Sequence, residues 1–167
     1  MVPRRHIPNF TFLDRSERIE LEAVVASLLP RLQRLGQVYA FEHGGPYQSL
    51  HSCGVDQAHL HLLPLSFDLV DLSSQEEGVS WSEFKPLSWS SEDVEILTEY
   101  LWVRSASERG LIGVPSSPQS QWFRKLIARG LNKPDEWDYR KYPALDMINS
   151  TSSAFGIVHE HNQRSKE

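Results

Sequence analysis

The stretch Cys53-Gly54-Val55-Asp56-Gln57-Ala58-His59-Leu60-His61-Leu62-Leu63-Pro64 decides how the chain is built. Successive side chains of an extended backbone point to opposite faces. Gln57, His59 and His61 therefore share one face, and Ala58, Leu60 and Leu62 share the other. This is the pattern of a half-buried strand, predicted from Ala58 to Leu65, with its apolar side in a core and its polar side lining a cleft. A partner strand is predicted just upstream at Gln37–Glu42 (QVYAFE), rich in β-formers and closed by His43-Gly44-Gly45-Pro46. His43 is assigned to that turn.

Before these strands, Asp14 to Leu35 reads as a long helix. Leu21, Val24, Val25, Leu28, Leu29, Leu32 and Leu35 recur every three or four residues as one apolar stripe. Asp14 with Glu17 has the form of a capping box, Gly36 offers a stop, and Pro30 removes one backbone donor near the end. Beyond the strands, the Ser- and Glu-rich segment from Asp71 to Ser91 is expected to be an ordered loop pinned by Trp81, Phe84 and Trp89. Tyr100–Ser105 and Leu111–Val114 are predicted to form a hairpin. A helix follows over Gln119–Leu131, with Ser120-Gln121 as its cap and Asn132 as its close. A short helix is expected around Asp146 to Phe155, and then a polar tail in which His159-Glu160-His161 is solvated. The division expected is a core over 1–70, a loop, hairpin and helical extension over 71–158 packed on the same domain, and a tail over 159–167.

Composition narrows the function classes. The chain has 167 residues, 40% of them apolar, and a net charge of −5. An acidic balance disfavours a broad electrostatic grip on duplex nucleic acid or an anionic membrane. No apolar run approaches the roughly 20 residues that span a bilayer. One cysteine, Cys53, cannot form an internal disulfide, and no secretory signal is visible, so cytoplasm or nucleus is the expected compartment.

Two neighbouring imidazoles suit phosphorus chemistry, because one neutral nitrogen can attack phosphorus while the second stabilises charge on its oxygens. The same pair could also suit a metal, and His51, Cys53 and His59 could bind zinc, although a fourth ligand is not evident there; or the pair could simply face solvent.

The surrounding residues distinguish among these readings. Glu42-His43-Gly44-Gly45, Cys53-Gly54-Val55-Asp56 and His59-Leu60-His61-Leu62-Leu63-Pro64 together resemble the histidine-triad (HIT) superfamily of nucleotide hydrolases and transferases, whose pattern is His-x-His-x-His followed by apolar residues. Val2-Pro3-Arg4-Arg5-His6 is similar to the end of that family's third strand and its basic turn. The resemblance covers residues 1 to 65 well and the remainder loosely. It implies an α+β fold, a HIT-like antiparallel sheet with the long helix packed on it, followed by a hairpin and helical extension. It also implies that His59 is the nucleophile at an α-phosphate and that His61 stabilises the phosphate. Cys53 and Gly54 would face the phosphate, and Gln57 stands where the family has its first histidine. An amide can orient a neighbour but carries no proton. The family's first strands precede the basic turn, so the expected sheet is N-terminally truncated with an open edge.

The resemblance implies nucleotidyl transfer or hydrolysis on a nucleotide conjugate through a nucleotidyl-histidine, with no cofactor or metal and a possible homodimer. The competing expectation is a catalytically weak or inactive nucleotide-binding or interaction protein, supported by Gln57 and the short N-terminus.

Overall fold

In the computed structural model, residues 1–46, 57–84, 99–107, 109–143 and 145–154 are described. The chain forms two compact units, Met1–Trp137 and Asp138–Glu167. The first holds a five-stranded antiparallel sheet. Its strands are β1 (Gln37–Gly44), β2 (His61–Leu65), β3 (Val79–Phe84), β4 (Tyr100–Ser105) and β5 (Gly110–Pro115), in the order β2-β1-β4-β5-β3. The helices of this unit are α1 (Arg15–Leu32), α2 (Leu69–Ser74) and α3 (Trp122–Gly130), and the second unit contributes α4 (Leu145–Ala154). The architecture is therefore α+β, the fold class expected.

Helix α1 starts as its sequence dictates. The Asp14 carboxylate accepts the Ser16 and Glu17 N–H groups, and the Glu17 side chain accepts the Asp14 N–H, completing the capping box. Those bonds, with the Arg5–Glu17 ion pair, hold both carboxyls below their ordinary values. The predicted stripe is narrower in the molecule. Leu21, Val25 and Leu32 are buried, whereas Val24 and Leu35 are 41% and 53% exposed. The helix also stops at Leu32, three residues short of the prediction, before Gly36 makes the turn into β1. A Cβ on Gly36 would lie 2.9 Å from the Leu65 carbonyl oxygen, so the close approach of β2 needs glycine there.

Strand β1 is buried along almost its whole length because both faces are covered. Ala40 packs with Leu21, Val25, Tyr100 and Trp102 beneath α1. Tyr39 and Phe41 pack on the other face with Leu101, Val103, Trp122, Phe123 and Leu126, under α2 and α3. Each face removes large apolar side chains from water, the main favourable term in folding.

Three expectations are corrected. The hairpin over β4 and β5 is not an extension of the sheet: β4 pairs directly with β1 and stands at its centre. The described part of the segment expected as a loop from Asp71 to Ser91 is not a loop, since 71–74 finish α2, capped by Asp68, and 79–84 form edge strand β3 against β5, while 85–91 lie outside the described residues. Trp81 does act as an anchor, with its ring 5.6 Å from that of Trp122, whereas Trp89 lies outside the described residues. Finally, Gln121 at the start of α3 takes a left-handed conformation and makes no side-chain cap. Asn132 closes α3 with φ of 59°, as expected.

Candidate active site

The predicted strand from Ala58 begins later, at His61, but the alternation it implied holds throughout. Ala58 and Leu60 are buried under α1, while Gln57, His59 and His61 are half-buried on the opposite side. The segment ahead of β2 is extended because the N-terminal chain lies along it. The Ala58 N–H donates to the Ile7 carbonyl, the Leu60 N–H to the Met1 carbonyl, and the Met1 amino group to the Leu60 carbonyl.

This pairing brings the two predicted histidines together, with ring centroids 5.0 Å apart and planes at 77°. His59 places its Nδ1 2.9 Å from the Gln57 carbonyl oxygen. A carbonyl only accepts, so Nδ1 carries the proton and, in the neutral ring, Nε2 holds the free lone pair. His61 lies parallel to the Phe41 ring at 4.7 Å, and Phe41 in turn packs on Phe123 at 4.6 Å. Burial first, then the neighbouring His59, the amino terminus and Arg124, push His61 down to about 3. It is a neutral imidazole at physiological pH, able to donate one N–H to a phosphate oxygen. Arg124, on α3, brings positive charge to this end of an acidic chain.

Gln57 is engaged with the N-terminal chain. Its side-chain amide donates to the Pro3 and Arg5 carbonyls at 3.0 and 3.2 Å, tying the N-terminal segment down, while its backbone carbonyl orients the His59 ring. Cys53, Gly54 and His51 lie outside the described residues, as do His159 and His161. Among the described residues no cluster of three His, Cys, Asp or Glu is arranged to hold a metal ion.

His43 is expected in a turn, but it lies within β1, one residue before its end, and is buried. Its Nε2 sits 2.6 Å from Glu99 Oε1, and Glu99 also accepts the Gln119 N–H. The signal lay in the alternation of Tyr39, Phe41 and His43, which continues past the predicted strand end. Among the described residues, no helix is long and apolar enough to cross a membrane. Comparison with protein-family models and with curated proteins finds no match.

Proposed function

We propose that the chain is a HIT-like nucleotide hydrolase or nucleotidyl transferase, with His59 as nucleophile and His61 as the phosphate-stabilising group. The observation that carries this reading is the His59 ring itself. Its Nδ1–H is fixed on the Gln57 carbonyl, which aims the lone pair of Nε2 away from the backbone, beside a second imidazole kept neutral. That is the arrangement nucleophilic attack on phosphorus needs.

The His59 Nε2 lone pair forms the N–P bond while the bond from phosphorus to the leaving group breaks, and the leaving group departs with the electron pair. His61 donates a hydrogen bond to the phosphate oxygens as their charge is redistributed, and Arg124 supports the same anion electrostatically. Water or another acceptor then attacks phosphorus and gives its proton to solvent, the electron pair of the breaking N–P bond returns to Nε2, and neutral His59 is restored. A nucleotide conjugate with a good leaving group, such as a phosphoramidate or a dinucleoside polyphosphate, fits this chemistry. A cytoplasmic or nuclear location would supply it.

The engagement of Gln57 with the N-terminal chain favours a second reading, a nucleotide-binding protein of weak turnover, because no third imidazole stands on this segment to pass a proton. Intact-protein mass spectrometry after brief incubation with adenosine and guanosine phosphoramidates and dinucleoside polyphosphates separates the two. A nucleotidyl adduct or turnover that disappears in His59→Ala is expected. Nucleotide binding without adduct or turnover would replace the enzyme reading with the second one.

A further inference from the structure

Three histidines, not two, lie on this face of the sheet. In the β1–β2 register Phe41 stands opposite His61, and paired residues of an antiparallel sheet project to the same side. The register ends at this pair, but alternation places His43, two positions after Phe41, and His59, two positions before His61, on that same side. Their closeness is felt electrostatically, since His59 disfavours a proton on His43. His43 is almost completely enclosed, its side chain 1% exposed, and Glu99, 12% exposed, is bonded to its Nε2. Its Nδ1 is buried with no hydrogen-bond partner among the described residues. Burying an imidazole with one nitrogen unsatisfied and a carboxylate behind it is unfavourable for stability alone, and such groups concentrate at functional sites.

We propose that the His43–Glu99 pair is a positioning unit for His59, placing a compensating negative charge behind the ring that becomes cationic in the reaction. The inference rests on His59 being the nucleophile. When His59 Nε2 bonds to phosphorus, Nδ1 keeps its proton on the Gln57 carbonyl, so the ring carries a positive charge until the N–P bond breaks. With His43 neutral, the pair has a net charge of minus one and stabilises that cation through a poorly solvated interior. Burial favours the neutral form of His43, while Glu99 opposes this and His59 adds to it. Protonating His43 at acid pH cancels the compensation. Among the described residues, His61 on β2, Arg124 on α3 and the Met1 amino group are the other charged or titratable groups acting at this corner.

The test uses a small electrophile, so that it does not depend on any nucleotide. Diethyl pyrocarbonate acylates a neutral imidazole nitrogen, which attacks its carbonyl carbon and expels ethyl carbonate, and peptide mass mapping reads each histidine separately. Exposed His6 serves as internal reference. Glu99→Gln is expected to slow modification of His59 relative to His6 about tenfold near neutral pH. Glu99→Asp, which keeps the charge, is expected to restore much of the rate, and His43→Asn should act like Glu99→Gln. Should His43→Asn fail to fold by circular dichroism, the near-isosteric Glu99→Gln decides. A His59 rate that follows His6 in Glu99→Gln, with only thermal stability altered, overturns the proposal. If nucleotides leave the wild-type chain unlabelled while His59 acylation still depends on Glu99, the nucleotidyl reading fails and the positioning role stands. An adduct that forms equally fast in wild type and Glu99→Gln has the reverse meaning.

Discussion

His61 links the chemistry of the site to the stability of the molecule. Its ordinary value of 6.5 is pushed to about 3, first by burial against Phe41 and then by neighbouring positive charge. Below pH 6.5 the unfolded chain takes up a proton that the folded chain refuses, so stability present above that pH is lost progressively as pH falls toward 3. Lowering the pH from 7 to 5 is expected to cost about 2 kcal/mol from this group. His43, also held below its ordinary value, adds to the same slope. His61→Phe keeps an aromatic ring against Phe41 but removes the titration. Urea unfolding at pH 7 and pH 5 should show a smaller difference for this variant than for the parent chain. Equal differences would mean that His61 is not buried as described.

At the level of elements, the contrast between two adjacent valines shows how sharply α1 is oriented. Val25 is fully buried against Leu21 and Ala40, whereas Val24 is 41% exposed. Val25→Ala is expected to lower stability by about 2 kcal/mol, from two lost methyl groups and the space they leave. Val24→Ala should stay within about 0.5 kcal/mol. Chemical denaturation of the two variants checks both values. The sequence could not make this distinction, since both valines belong to one apolar stripe and only the tilt of the helix on the sheet selects between them. Elements with strong local signals were legible: α1 with its capping box, β1 and the β4–β5 hairpin. Helix α2 was missed because six residues hold too few turns to show a period, and β3 because an edge strand exposes polar residues such as Ser82 and Glu83. In the site, the shared face of His59 and His61 could be read from their spacing. Gln57's grip on the N-terminal chain and the burial of His43 beside Glu99 are tertiary facts, set by residues 54 and 56 positions away in sequence.

For the molecule as a whole, the sheet ends in two edge strands, β2 and β3, the first and last in the order β2-β1-β4-β5-β3, and the histidines lie at the β2 edge. An unpaired edge can accept a strand from another chain. Backbone groups along an extended chain point alternately toward and away from its neighbour. Ala58 and Leu60 donate away from β1, to Ile7 and Met1, so Leu62 and position 64 also face outward. Position 64 is proline, which has no N–H, leaving Leu62 as the one outward donor of β2 without a backbone partner among the described residues. The N-terminal segment and Pro64 thus shield the two ends of the edge from which the histidines project. Pro64→Val supplies the missing donor beside Leu62 and lengthens the open ladder. It is expected to raise the average mass seen by sedimentation velocity as concentration increases, relative to the parent chain, while far-ultraviolet circular dichroism stays unchanged. If the variant and the parent sediment alike across the same concentrations, Pro64 does not guard the edge, and the outward face of β2 must be covered by other means.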